Sequence, residues 1–288
     1  MCIQDKAMLI SIKFSMIGMS KKDPAVTEAT NNNNHAQTDA GRYTKNLYSN
    51  EALKPIRAAR DYIRTLWIES SSPWGDNGFR IMPSTLYNTF TSDYRKAKAD
   101  WDAEITLFIQ RRQAWLDEAK VRLGDMYDED LYPTEEEMNE HFDVSVEVMA
   151  IPDGEDFRIE SMDADTIKQQ INDNVSERTQ KITTDLFARL YKVVKSMSDR
   201  LAIVADDDGT SKRRKSFQNT LIGNIEDLVS VLPDLNLNKD PELDRLTQEI
   251  KDRLLIDPSI IRDNPTTLKR VQQDAEKIAD DMSFMFSS

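Results

Sequence analysis

Two stretches of this 288-residue chain, residues 84–123 and 164–204, repeat their apolar residues on an eleven-residue rhythm. In the first the stripe is Leu86, Tyr87, Phe90, Tyr94, Ala97, Trp101, Ile105 and Phe108, then Leu116, Ala119 and Leu123. In the second it is Ile167, Ile171, Val175, Ile182, Leu186, Val193, Met197 and Val204. Eleven residues over three turns is about 3.67 per turn, close to a straight α-helix with a slight right-handed drift. Neither stretch contains Gly or Pro, so each predicts an unbroken helix of roughly 60 Å at about 1.5 Å per residue. Matched length and period predict an antiparallel hairpin of the two, with Trp101 and Phe108 facing the second helix near Leu186.

The segment that joins these helices carries the charge of the protein. Residues 125–165 hold sixteen acidic residues and one basic residue, Arg158, a net −15 in a chain whose total is −13. The remainder is therefore near neutral. A connector this negative repels nucleic acid and attracts basic surfaces. It reads either as a turn region kept soluble by charge or as a docking tip for a basic partner, with Asp128, Glu129, Asp130, Glu135 and Glu136 as its candidate contacts. The single cysteine, Cys2, excludes a disulfide framework and a thiolate cluster. No apolar run approaches the roughly 18 residues of a membrane span.

Local signals divide the rest. Residues 1–20 read as an N-terminal strand, with partial alternation over 8–17. Residues 21–49, with few core-forming side chains and the run Asn31–Asn32–Asn33–Asn34, read as a partly disordered linker. Residues 50–205 hold a first helix over 51–69, a loop over 70–83, and the hairpin with its acidic connector at 125–163. Inside the connector, Thr134 with Glu137 is a capping-box pattern. Val144, Val146 and Val148 alternate as a strand, and residues 157–159 read as its return. A two-stranded hairpin is marginal alone, so the N-terminal strand is expected to join it. Residues 206–288 form a C-terminal helical region, punctuated by Asp240–Pro241, Asp257–Pro258 and Asn264–Pro265, each a capping residue followed by proline at the first helical position. The fold class is thus mainly α: a long helical hairpin, a small antiparallel sheet at its connector and a C-terminal helical bundle.

Two arginines, Arg112 and Arg178, interrupt the apolar stripes. In a hairpin they would share a layer, either snorkelling to solvent or forming a buried polar layer that fixes register. The loop Pro73–Trp74–Gly75–Asp76–Asn77–Gly78–Phe79–Arg80 concentrates two of the eight glycines. It lacks the Gly-Lys-Ser/Thr of a phosphate-binding loop. Trp74, Asp76, Asn77 and Arg80 are its candidate partner contacts. Arg42, Lys45 and the run Lys212–Arg213–Arg214–Lys215 are candidate phosphate contacts, few enough to touch a backbone without specifying a sequence. The two histidines, His35 and His141, sit in no nucleophile or metal motif. No cofactor, metal or catalytic constellation is read, and the chain is expected to be a non-enzyme.

The segments Asp39–Ala40–Gly41–Arg42–Tyr43–Thr44–Lys45 and Pro73–Trp74–Gly75–Asp76–Asn77–Gly78 resemble patterns shared by uncharacterised proteins of tailed bacteriophages, whose genes often lie near a MoxR-like AAA+ ATPase and a von Willebrand A-type protein. The resemblance runs from Met8 to the C-terminus and implies a phage accessory protein acting in the cytoplasm of the infected bacterial host. It attaches no chemistry to these motifs. It also implies that part of the 21–49 segment is ordered. The expected function is a non-catalytic adaptor binding a basic protein surface, with such an ATPase or von Willebrand A-type protein as candidate partner. The alternatives are a nucleic-acid-associated protein and an acidic DNA mimic that inhibits a host protein.

Overall fold

The protein is mainly α with a small antiparallel sheet. The computed structural model describes residues 3–75, 77–156, 163–206 and 211–286, with the side chains of 203–206, 211–220 and 284–286 outside that description. In chain order the elements are β1 (Ala7–Ser15), β2 (Ser20–Lys22), α1 (Pro24–Asn33), β3 (Thr44–Asn46), α2 (Asn50–Glu69), β4 (Ser72–Pro73), β5 (Arg80–Pro83), α3 (Ser84–Gln110), α4 (Arg112–Leu123), α5 (Glu135–His141), β6 (Asp143–Met149), α6 (Ala164–Asp206), α7 (Ser211–Leu235), α8 (Pro241–Leu254), α9 (Pro258–Asp263) and α10 (Pro265–Phe286). They fall into two compact units. A bundle unit comprises Met1–Ser11, Ile68–Asn88 and Val148–Ser288; an aromatic unit comprises Ile12–Trp67 and Thr89–Glu147. Among the described residues no helix is long and apolar enough to cross a membrane.

The bundle unit is built from α6 to α10. Its core joins Leu186, Leu190, Val194, Met197 and Leu201 of α6 to Ile225 and Val229 of α7, Leu246 and Ile250 of α8, and Val271, Ile278 and Met282 of α10. The buried positions of α10, Leu268, Val271, Ala275, Ile278 and Met282, alternate by three and four, the spacing of a helix–helix seam. Ala275 and Ala279 are also buried there; small side chains let the backbones approach. Helix starts follow the local chemistry. Asp240 Oδ1 accepts from the amides of Glu242 and Leu243 at 3.0 Å each. Asp257 accepts from Ser259 at 2.7 Å, and Asn264 from Thr266 at 3.0 Å. Against this bundle sit β4, β5 and the start of β1. Ala7–Ile10 pairs antiparallel with Arg80–Pro83, and β5 pairs with β4. Ala7, Leu9, Trp74 and Ile81 enter the bundle core.

The aromatic unit is held by rings. Trp101 of α3 meets Phe14 at 5.8 Å and Phe142 at 6.5 Å. Phe108 meets Tyr48 at 5.1 Å, Phe142 at 6.0 Å and Trp115 at 6.1 Å. Edge and offset contacts of this kind contribute about 0.5–1.5 kcal/mol each beyond the area they bury. The order of the sheet is β4-β5-β1-β6, so the N-terminal strand does meet the valine strand of the connector. Within this unit Lys13 of β1 is ion-paired with Glu147 of β6.

Several expectations are corrected. The long partner of α6 is α10, and α3 belongs almost wholly to the other unit, so the antiparallel hairpin of the two striped helices is not the organising element. The stripe of α3 carries Trp101 and Phe108, whose rings are filled by aromatic side chains from strands and loops. Arg112 and Arg178 each have partners within their own unit, Arg112 the Pro133 carbonyl and Arg178 the face of Trp74. The first long helix is also not continuous: α3 ends at Gln110 and α4 starts at Arg112. The indole N–H of Trp115 donates to the Phe108 carbonyl at 3.1 Å. That carbonyl would accept from Arg112 in an unbroken helix, and a side chain inserted into the ladder breaks it. The 70–83 loop is a β-hairpin. The 21–49 segment carries α1 and the β2–β3 ribbon, not a disordered linker. The return strand read at 157–159 lies outside the described residues.

Candidate interaction face

The connector begins where α4 ends. Gly124, with φ of 53°, turns the chain in a conformation that glycine adopts without penalty. Four side chains, Tyr132, Met138, Lys45 and Arg112, then fasten the segment to the rest of the aromatic unit. Tyr132, 5 % exposed, donates its hydroxyl to the Leu47 carbonyl at 2.9 Å. Met138, the inward residue of α5, is fully buried. Lys45 donates to the Met126 carbonyl at 2.7 Å and is ion-paired with Asp23 at 3.1 Å. Arg122 adds a second donor to Leu47 at 2.8 Å, and Arg112 donates to the Pro133 carbonyl at 2.8 Å. Thr134 and Glu137 form the reciprocal capping box expected from the sequence. The Glu137 carboxyl is held below its ordinary range by the Thr134 amide first and the Thr134 hydroxyl second.

With its apolar residues turned inward, the segment presents its carboxylates outward. Asp128, Glu129, Asp130, Glu135 and Glu136 are all exposed. Residues 125–147 contain ten acidic residues and neither Lys nor Arg. Asp128 accepts from the Asp130 amide at 3.1 Å, and Lys120 stands 3.6 Å from Glu129. The face is therefore a field of acceptors on a backbone fixed from beneath. Among the described residues no three carboxylate, imidazole or thiol groups converge as a metal site would require.

Comparison with protein-family models, curated proteins and solved structures finds no match. What the face can do must come from its own residues.

The other candidate residues separate. Trp74 is 3 % exposed: it is a core residue of the bundle unit, with the Arg178 guanidinium 5.7 Å from its ring centre, and not a partner contact. Arg178 also lies against Gly75, where an added Cβ would meet its Nη1 at 3.1 Å. Asn77 is exposed and accepts from the Phe79 amide at 3.4 Å; Asp76 lies outside the described residues. Arg80 is turned inward, donating to the Ser71 hydroxyl at 2.8 Å and the Ser71 carbonyl at 2.7 Å. Burial, then the neighbouring Arg189, pulls its pKa down to about 10. Lys45 is 7 % exposed, with its ammonium held between the Asp23 carboxylate and the Met126 carbonyl, and this burial removes it from the phosphate-contact set. Arg42 is exposed. Lys212, Arg213, Arg214 and Lys215 fall in the first turns of α7, their side chains outside the description.

Sequence reasoning missed the arginine pair at the end of α2. Arg80 and Arg189 donate to the same two carbonyls, Ile68 and Ser71, and Asp185 lies 2.7 Å from Arg189 Nε. Nothing in the local sequence marks a pairing across more than a hundred residues. A shallow depression of about 390 Å³ beside α6, lined by Tyr191, Lys192, Lys195, Ser196, Asp199 and Arg200, shares no residue with the acidic face.

Proposed function

We propose that this protein is a non-catalytic accessory protein, of phage origin as its motifs suggest, that docks a protein partner of basic surface through the acidic face of its connector. The observation that carries the reading is the combination of exposed carboxylates at Asp128, Glu129, Asp130, Glu135 and Glu136 with a backbone pinned by Tyr132, Met138 and Lys45. A flexible acidic tail solubilises; a rigid acidic face also fixes the spacing of its charges, which sets partner register. The resemblance supplies the candidate partners, a MoxR-like AAA+ ATPase or a von Willebrand A-type protein, and the setting, the cytoplasm of an infected bacterium.

The test is direct binding to the purified products of the neighbouring genes. A variant carrying Asp128→Asn, Glu129→Gln, Asp130→Asn, Glu135→Gln and Glu136→Gln loses binding at least tenfold. A variant with Lys212, Arg213, Arg214 and Lys215 changed to Gln binds as the parent does. The substituted carboxylates are exposed, so each changes stability by no more than about 0.5 kcal/mol. Loss of binding in the basic-run variant with retention in the acidic one would overturn the reading and favour phosphate recognition.

A further inference from the structure

The break between α3 and α4 leaves one face of this helix pair turned away from the aromatic core. That face carries Leu107, Ala114 and Val121, seven residues apart. Leu107 is 46 % exposed and Val121 88 %. Buried positions lie on the opposite side, at Ile105, Phe108, Leu116, Ala119 and Leu123. Apolar residues seven apart fall on one line of a helix surface, one of the two lines that make a helix–helix seam. Helical bonds from the Arg111 amide to the Leu107 carbonyl at 3.2 Å and from the Trp115 amide to the Arg111 carbonyl at 3.1 Å carry that line across the break, and among the described residues nothing covers Leu107 or Val121. The residues between are charged. Arg111 and Asp117 are exposed and Glu118 half-buried, and neither Arg111 nor Glu118 is ion-paired among the described residues.

The order of these residues is self-complementary. If two copies cross antiparallel with a two-fold axis at Ala114, positions equidistant from it come together. Leu107 of each copy then lies against Val121 of the other. Arg111 faces Asp117 and Glu118 of the other copy, and the same ion pairs recur on the far side of the axis. A two-fold contact requires such self-pairing of one patch. Ala114 at the crossing leaves room for close approach. We propose that the Leu107–Ala114–Val121 face is a homodimer contact, occupied by the same face of a second copy of this chain.

The seam is about 22 Å long at 1.5 Å per residue. A single helix pair of that length buries less than the roughly 1,200 Å² of a standard stable interface, so the dimer is weak and its population rises with protein concentration. This face belongs to the helix pair and not to the acidic connector segment, so the proposal stands independently of the docking reading.

The experiment uses the full chain with Cys2→Ser and Ala114→Cys. On mild oxidation this variant forms a disulfide-linked dimer, because a residue on the two-fold axis meets its own copy. A control with Glu28→Cys, exposed on α1, cross-links at least tenfold less. In sedimentation equilibrium without the added cysteine, Val121→Glu weakens self-association at least tenfold. Arg111→Glu also weakens it, and Arg111→Glu combined with Asp117→Arg and Glu118→Arg restores it. Glu28, Arg111, Ala114, Asp117 and Val121 are solvent-exposed and Glu118 is half-buried, and unchanged circular dichroism confirms that each variant folds. Cross-linking of Ala114→Cys no greater than the control, or a dimer that survives Val121→Glu, would overturn the proposal. A chain that stays monomeric while Val121→Glu abolishes binding of a different protein would also overturn it, assigning the face to that partner.

Discussion

Two tyrosines packed against each other in the aromatic unit are expected to respond oppositely to loss of the same atom. Tyr48 and Tyr132 lie 5.5 Å apart, ring centre to ring centre, and are 3 % and 5 % exposed. The Tyr132 hydroxyl donates to the Leu47 carbonyl. The Tyr48 hydroxyl is buried and has no hydrogen-bond partner among the described residues. Substitution by Phe keeps both rings, so no cavity term enters. Tyr132→Phe loses a net hydrogen bond, about 0.5–1.5 kcal/mol. The lower end applies, because Arg122 still satisfies the Leu47 carbonyl. Tyr48→Phe removes a polar atom whose unpaired burial costs about 1–3 kcal/mol, and it should stabilise the unit by about 1 kcal/mol. Urea unfolding of each variant, followed by fluorescence of Trp101 and Trp115 within the same unit, measures both signs. Burial pushes both phenols above their ordinary value of 10.0. Above about pH 10 the unfolded chain therefore releases protons that the native state retains. Stability from this source is full below that pH and falls as pH rises, and the fall is shallower in Tyr48→Phe. If Tyr48→Phe destabilises as much as Tyr132→Phe, the Tyr48 hydroxyl has a partner and the reasoning fails.

Two further perturbations follow from local geometry. At Gly154 an added Cβ would stand 2.7 Å from the Lys168 carbonyl, so Gly154→Ala should cost about 1–3 kcal/mol by forcing the turn off α6; Gly223, inside α7 with nothing near its Cβ position, should gain about 0.5–1 kcal/mol on change to Ala, and thermal melts of the two variants should shift in opposite directions. For Arg80 and Arg189, which share the Ile68 and Ser71 carbonyls, a double-mutant cycle of the two Arg→Gln changes should show coupling of about 0.5–3 kcal/mol; strictly additive losses would mean that the pair does not act as one cap.

Periodicity reported which residues are buried far better than what buries them. Of the stripe over residues 84–123, Phe90, Ala97, Trp101, Ile105, Phe108, Leu116, Ala119 and Leu123 are buried, while Leu86, Tyr87 and Tyr94 are half-buried. Which element covers that face is a two-body property that a repeat cannot encode. Similar stripes on α3 and α6 suggested one hairpin, yet each helix found other company. In α6 the reading is only partly matched: Leu190, Val194 and Leu201 are buried, Val193, expected in the stripe, is partly buried against the same core, and the side chain of Val204 lies outside the described residues. Apolar residues around this part of α6, including Phe187 and Tyr191, pack against the same core, which blurs a single stripe. Capping chemistry is local, and it placed the starts of α8, α9 and α10. The same signal stood at Asp23–Pro24 and was overlooked among polar residues: Asp23 accepts from the Val26 amide at 3.1 Å and Pro24 opens α1. The β4–β5 hairpin left no trace, because strands of two and four residues are too short to alternate. The exposed carboxylates of the connector were legible from composition. The buried anchors that hold them, Lys45 above all, were not, since a lysine in a polar segment looks solvated until Asp23 and Met126 are seen around it.

The claim that the acidic face recruits a partner is tested most directly by the association rate as a function of salt. The parent chain and the five-residue neutralised variant would be mixed with the partner candidate at ionic strengths from 0.1 M to 1 M, over which the Debye length falls from about 10 Å to about 3 Å. Steering by a fixed field of carboxylates predicts that the parent's rate drops at least tenfold across that range, while the variant starts slow and stays nearly flat. Equal salt slopes for the two proteins would show that these carboxylates do not guide the encounter, and the docking account would be wrong.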